Sequence, residues 1–266
     1  MVLTKIFSGF EDTHLNQNND CFCCKICTFA RFCCSGGVPA AWIGQQQNNN
    51  MEVIDFNKQN SILNQFIAEI RDVNIQKDQM RFRRNLERIG EIMALEVSKK
   101  LNYVTKEVQT PLGVSVINVP EEDIVLGTVF RAGLPLHQGF HNYFDHCENA
   151  FVSAYRKYLD EVNFDVHIEY MASPNLDGKT LILVDPMLAT GNSMYLAYRA
   201  LLLKGTPARI HLCSVIAAQA GVDYVCKMFP QDITTLWCAA VDPELNSHAY
   251  IIPGLGDAGD LCFGEK

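Results

Sequence analysis

Leu181 to Ser193 reads Leu-Ile-Leu-Val-Asp-Pro-Met-Leu-Ala-Thr-Gly-Asn-Ser: an apolar run, then a polar loop, with an apolar helical stretch opening near Met194. A strand-loop-helix junction of this kind suits an anion. The helix N-terminus presents N–H groups without intrahelical partners, together with the positive end of the helix dipole. Thr190 and Ser193 can add hydroxyl donors, and Gly191 would let backbone amides approach a ligand with no Cβ in the way. Asp185, at the strand end, can accept hydrogen bonds from sugar hydroxyls. The same residues also suit a plain structural role, with Thr190 and Ser193 as helix caps and Asp185 as a turn former. The loop lacks both G-x-x-x-x-G-K-[ST] and G-x-G-x-x-G, so it is neither a Walker loop nor a dinucleotide fingerprint.

Near the C-terminus, His248-Ala-Tyr-Ile-Ile-Pro-Gly-Leu-Gly-Asp-Ala-Gly-Asp260 carries three glycines and little bulk. Its backbone can offer paired donors and acceptors to a planar base, or it can be a glycine-rich loop packed on the body of the protein. Arg131 and Arg156 each follow an apolar run, which puts them on the same rim as the polar loop, as anion ligands or as surface ion pairs. Arg81, Arg83 and Arg84 read as a solvated helical face. His137 and His141 are four apart on a helical stretch, a spacing that can hold a metal, but no third ligand is identifiable. His248 reads as structural.

These groups need a frame. Ile62, Phe66, Ile67 and Ile70, then Leu86, Ile89, Ile92, Met93 and Leu95, fall at helical spacing and predict two helices between Ser61 and Leu101. A hairpin is expected from Tyr103–Gln109 and Gly113–Val119 around Thr110-Pro111-Leu112. Beyond it, β-type runs at 124–130, 150–155, 180–184, 210–216 and 233–239 alternate with helical stretches at 134–147, 193–204 and 221–229. That order predicts an α/β fold with a central parallel sheet covered on both faces, because parallel strands need crossover helices. Val162–Tyr170 alternates in hydropathy and predicts a hairpin flap.

The chain has 266 residues, 48% apolar and 20% charged, enough for one large domain with a buried core. Lys plus Arg number 22 against 30 Asp plus Glu, a formal charge of −8, which argues against delocalised binding to nucleic acid or to an anionic membrane. No run approaches the ~18 apolar residues of a membrane span, and no basic-then-apolar leader opens the chain, so a soluble cytoplasmic protein is expected. Cys21, Cys23, Cys24, Cys27, Cys33 and Cys34 crowd the first 50 residues, which end in a Gln/Asn tract directly before Met51. Residues 1–50 are read as a disordered extension or a start placed too early, with a zinc site as the minor alternative because paired C-x2-C knuckles are missing. Residues 51–266 form the expected domain, and its dispersed cysteines, Cys147, Cys213, Cys226, Cys238 and Cys262, suit reduced buried thiols.

The segment D-P-M-L-A-T-G-x-S resembles the phosphoribosyl diphosphate (PRPP) loop of uracil phosphoribosyltransferases. His248–Asp260 resembles that family's uracil-binding segment, and Phe263-Gly264-Glu265-Lys266 its ending. Arg131-Ala-Gly-Leu134, Tyr155-Arg156 and Arg81-Phe82-Arg83 also match in order, so the likeness spans about Gln79 to Lys266. It implies a type I phosphoribosyltransferase fold with a small hood and hairpin flap, and the reaction of uracil with PRPP to give UMP and pyrophosphate. By this resemblance Asp185, Pro186, Met187, Leu188, Ala189, Thr190, Gly191, Asn192 and Ser193 hold the ribose 5-phosphate side. Arg131 and Arg156 hold the diphosphate side. Ile251, Gly256 and Ala258 bind uracil largely through backbone groups, and Asp257 touches both base and PRPP. Asp257 and Arg131 are the catalytic candidates. Magnesium bound through PRPP is implied, with no metal held by the protein alone; GTP activation occurs in some members, and a homodimer or higher homo-oligomer is implied.

Two departures stand out. Asn192 replaces the family's usual Gly, a change tolerable because Asn accepts a left-handed backbone. Leu134-Pro-Leu-His-Gln-Gly139 replaces a Gly-Met-type continuation and an acidic residue. They leave room for a catalytically weak relative that senses PRPP or uridine nucleotides. The intact Tyr250–Asp260 block speaks against a phosphoribosyltransferase for a different base.

Overall fold

The computed structural model describes residues 51–158 and 164–265, and for 154–158 and 164–167 it describes the backbone only. The early helical patterns form α1 (Leu63–Arg71) and α2 (Gln79–Ser98). Phe82, Leu86, Ile89, Met93 and Val97 lie along one buried stripe of α2, and the Asp78 side chain caps its start by accepting from the Arg81 N–H at 3.0 Å. The expected hairpin is β2 (Tyr103–Thr110) with β3 (Gly113–Pro120), an isolated antiparallel pair with Val114, Val116 and Ile117 exposed.

The main sheet begins with a strand the sequence pattern missed, β1 (Glu52–Asp55), and continues with β4 (Ile124–Val129), β5 (Glu148–Tyr158), β6 (Phe164–Ala172), β7 (Thr180–Val184), β8 (Met187–Leu188), β9 (Arg209–Ala218) and β10 (Thr234–Asp242). Its order is β1-β10-β9-β7-β4-β5-β6, with β8 paired to β9. All pairings are parallel except β5 with β6, so the expected all-parallel sheet ends in one antiparallel edge strand. That strand covers the described part of the flap expected at Val162–Tyr170; residues 159–163 lie outside the described residues. Every residue of β7 is buried, with Ile182 and Val184 facing one core and Leu181 and Leu183 the other. This explains a strand without hydropathic alternation: helices cover both faces.

One layer holds α1, α2 and α3 (Gly133–His141); the other holds α4 (Asn192–Leu201) and α5 (Gln219–Met228). The α3 stretch stops well short of the expected Cys147. Asn142 closes it, its N–H returning to the Gln138 carbonyl, while its side-chain amide donates to Glu87 and Glu91 of α2. Backbones of α2 and α3 nearly touch: a Cβ at Gly139 would lie 2.1 Å from the Glu87 carbonyl oxygen, and one at Gly90 2.5 Å from that of Leu136. The chain ends in a short ribbon, β11 (Glu244–Leu245) with β12 (Ile251–Ile252), and helix α6 (Ala258–Phe263). The described cysteines are all free thiols, and burial raises the pKa of each. Among the described residues no helix is long and apolar enough to cross a membrane.

Candidate active site

The polar loop and the C-terminal segment face each other across one open cleft of about 760 Å³ at the carboxyl ends of the strands. Asp185, Met187, Ala189 and Ser193 line one side; Ile251, Gly256, Asp257 and Ala258 line the other, with Arg131 between. Open α/β sheets place ligands at this edge.

The loop is built from the sheet outward. After β7, the Asp185 N–H donates to the Cys213 carbonyl at 3.0 Å, and the Ile216 N–H to the Pro186 carbonyl at 2.9 Å. β8 then pairs Met187 and Leu188 with Ile216 and Ala217, pinning the middle of the loop to β9. Gly191 forms the N-cap of α4 at φ +79° and offers no side-chain cap, which leaves Thr190 as the hydroxyl that reaches the start of the helix. Thr190 Oγ1 lies a long 3.4 Å from the Asn192 N–H, and Ser193 is exposed to the cleft. The N-terminus of α4, where the helix dipole favours an anion, thus opens onto the cleft.

Gly191 is required by its positive φ and by the neighbouring helix, since a Cβ there would lie 2.8 Å from a Tyr224 ring carbon and 3.2 Å from the Gly221 carbonyl oxygen. Asn192 needs no left-handed tolerance: it opens α4, and the one non-glycine residue with positive φ among those described is Ala249. Replacing Gly by Asn at this position therefore introduces no backbone strain.

Asp185 sits half-buried on the cleft floor, where loss of hydration raises its pKa from 3.8 to about 7, opposed by the Met187 N–H at 3.4 Å. Its carboxyl is thus poised between a donor-acceptor form and a pure acceptor form, both suited to vicinal hydroxyls.

On the facing wall, Asp257 caps α6 by accepting from the Asp260 N–H at 3.0 Å. Gly256 has φ +98° with no atom within 4 Å of where a Cβ would sit, so it exposes bare backbone to the cleft. Ile251 pairs with Leu245 in the ribbon. Asn246 shapes the turn between the ribbon strands, its Oδ1 accepting the N–H groups of His248 and Tyr250, each at 2.9 Å. His248, expected to be structural, lines the cleft mouth.

Arg131 follows β4 by two residues. Its guanidinium donates to Asp260 at 3.1 Å and to the Gly264 carbonyl at 3.3 Å, while its Nε is buried without a partner. Arg156 was expected just past a strand end. Instead β5 runs on beyond Val152, its last partner on β4, and Arg156 faces Val166 in the β5-β6 register, with its side chain outside the described residues. Glu169 of β6 enters the cleft beside Ser153, whose hydroxyl it accepts at 2.9 Å; neither had a sequence signal beyond alternation.

Arg81 and Arg84 are exposed, as the solvated-face reading expects, and each is also held by a partner. Arg81 forms two bonds, at 3.0 and 2.9 Å, to Glu69, which also accepts from Asn85 at 2.7 Å. These donors hold the Glu69 pKa down at about 2. Arg83 donates to the Cys262 carbonyl of α6, and Arg84 pairs with Glu87. His137 is buried against His141 and Phe151, with ring centroids at 6.0 and 5.2 Å, and burial lowers its pKa to about 4. Among the described residues no group of three or more His, Cys, Asp or Glu could hold a metal, and the six early cysteines lie outside them.

A polar loop that runs from the end of a central parallel strand into a helix, and faces a small C-terminal hood across one cleft, is the arrangement of an open α/β fold with its ligand cleft at the strand ends. The family model described as uracil phosphoribosyltransferase matches residues 57–265. A protein of Porphyromonas gingivalis named uracil phosphoribosyltransferase is 60% identical over 216 residues, covering 81% of this chain and 100% of that one. One of the same name from Methanothermobacter thermautotrophicus is 40% identical over 217 residues, 81% of this chain and 95% of that one. The solved AQ2163 protein from Aquifex aeolicus superposes with a TM-score of 0.69 at 28% identity, covering 80% of this chain and 98% of that chain. The chain belongs to the uracil phosphoribosyltransferase family.

Proposed function

We propose that the chain transfers the 5-phosphoribosyl group of PRPP to N1 of uracil, giving UMP and pyrophosphate in pyrimidine salvage. The observation that carries this reading is the cleft itself, which sets the Asp185–Ser193 loop opposite the Ile251–Ala258 backbone. The C1–N1 bond forms as the C1–O bond to pyrophosphate breaks, the oxygen keeping the electron pair and N1 giving up its proton. Negative charge grows on the leaving group and positive charge on the sugar, so donors aimed at phosphate and alignment of the base do most of the catalytic work.

In this reading the first turn of α4, Thr190 and Ser193 receive the 5-phosphate, with Pro186, Met187, Leu188, Ala189, Gly191 and Asn192 shaping the loop. Asp185 holds the ribose hydroxyls. Arg131 and Arg156 are assigned to the diphosphate; Ile251, Gly256 and Ala258 hold the uracil amide edge through backbone groups; Asp257 bridges base and PRPP. The anionic donors in the cleft, Asp185, Asp257 and Glu169, are all oxygens, the ligand type magnesium prefers, and they form no closed cage. They fit an ion carried in on PRPP, with Asp185 and Asp257 the residues to meet it, and magnesium when bound would offset the charge of the departing pyrophosphate. A cytoplasmic homo-oligomer, with GTP as a candidate activator, completes the reading.

The test is conversion of labelled uracil to UMP with PRPP and magnesium, with and without GTP, for protein begun at Met1 and at Met51. UMP formation abolished by Asp257→Asn supports the assignment. Saturable PRPP binding without turnover would favour the sensing relative instead.

A further inference from the structure

Where β10 ends and the chain leaves for the hood, Asp242 is buried against Arg71, the last residue of α1. Arg71 holds it bidentately, Nη1 to Oδ2 and Nη2 to Oδ1, both at 2.8 Å. The same Nη1 donates to the Gly254 carbonyl at 2.9 Å, and Asp242 Oδ2 accepts the Gly254 N–H at 2.9 Å. Both backbone groups of Gly254 are therefore consumed by one ion pair, which closes the segment from 242 to 254 into a ring. Gly254 suits this place because it has φ +55° and a Cβ would lie 2.2 Å from the Ile251 carbonyl oxygen.

We propose that Arg71, acting through Asp242 and Gly254, is a positioning residue for the base-binding hood, setting the backbone of Ile251 and Gly256 toward the base. The proposal rests on the uracil assignment above. Arg71, Asp242 and Gly254 do not line the cleft, so none touches substrate directly. Ile251 and Leu255 on either side of Gly254 are anchored in the core by burial, but the ribbon that leads to them has two residues per strand, far below what holds a hairpin together alone, so the bonds at Gly254 fix the backbone between those anchors. Specificity read through backbone groups depends on where that backbone is held, and a planar, bidentate guanidinium is the side chain able to bind a carboxylate and a carbonyl at once. Lysine offers a point charge and cannot reproduce the fork.

The test uses the full chain with Arg71→Lys, Arg71→Ala and Asp242→Asn. The expected result is a rise of roughly tenfold or more in KM for uracil, with KM for PRPP held within about twofold. Amide hydrogen exchange should quicken across 243–258 and stay unchanged in β4, β7 and β9. Equal changes in the two KM values, or an unchanged uracil KM with unchanged exchange, would overturn the proposal. Arg71→Lys retains the charge and serves if Arg71→Ala does not fold. If the unaltered chain makes no UMP, the uracil assignment fails, while exchange still decides whether Arg71 holds the hood.

Discussion

Arg131 and Asp260, 129 residues apart in sequence, meet with Nη2 3.1 Å from Oδ1. The pair joins the end of β4 to α6, and a second bond from Arg131 to the Gly264 carbonyl ties down the residue that ends that helix. One guanidinium thus serves as a cation on the cleft wall and as a tie between the wall and the chain terminus.

Removing that guanidinium should affect PRPP use most strongly. Arg131→Ala is expected to lower kcat/KM for PRPP by about 100-fold or more, the scale seen when one donor to a developing anion is lost. Asp260→Ala leaves the cation in place and should cost less than about tenfold. Initial rates with PRPP varied at saturating uracil decide this, and full kcat/KM in Arg131→Ala would sink the assignment.

Asp185 makes a pH prediction. Its folded pKa of about 7 lies above its unfolded value, so between about pH 4 and 7 the folded state binds more protons than the unfolded one. Its contribution to stability is therefore greatest below pH 4, falls as pH rises to 7, and stays low above. Thermal unfolding of Asp185→Asn should lack this fall, so the variant should gain Tm relative to the parent from pH 5 to 8. A constant difference in Tm would contradict the assigned pKa.

Glu69 predicts the opposite slope. With its pKa held near 2 by Arg81, Asn85 and Gln65, its stabilising effect is full above about pH 4.5 and is lost as pH falls toward 2. Glu69→Gln should flatten acid unfolding over that interval. Glu69→Ala should cost about 1–3 kcal/mol at pH 7, because the buried Asn85 amide loses its acceptor. Denaturant unfolding at several pH values checks both.

The phosphate loop separates two neighbours. Gly191→Ala meets both a left-handed backbone and the Tyr224 ring, and should cost at least about 1–2 kcal/mol together with PRPP affinity. Asn192→Gly restores the family's usual residue but should gain nothing, changing stability by less than about 1 kcal/mol with PRPP affinity unchanged. A large gain in PRPP affinity from Asn192→Gly would mean that the position acts on the ligand rather than on the backbone.

The sheet and helices were legible because β7 and β9 are short apolar runs between turn-forming residues and α2 repeats its apolar stripe for five turns. The loop and the hood were legible through ordered motifs. What the sequence hid was pairing over distance. Nothing near Arg81 announces a partner on α1, and nothing near Arg71 announces Asp242, because ion pairs leave no periodicity. β1 and the hood ribbon are too short for their hydropathy to stand out, and nothing in the composition of β6 marks it as antiparallel. Gly191 was legible as a residue that leaves room for a ligand, but its second constraint comes from α5, which is distant in sequence.

Helix α2 contributes no residue to the cleft lining, yet it packs against α1, α3 and α6. Gly90 lets α3 lie against it, Arg83 grips α6 through the Cys262 carbonyl, and Arg81 with Asn85 fastens α1, whose last residue holds the hood. The helix works as a backing plate, its side chains holding the hood side of a cleft it does not line. Changes in substrate preference are therefore within reach of substitutions along one face of α2, where a search confined to residues around the ligand would never look.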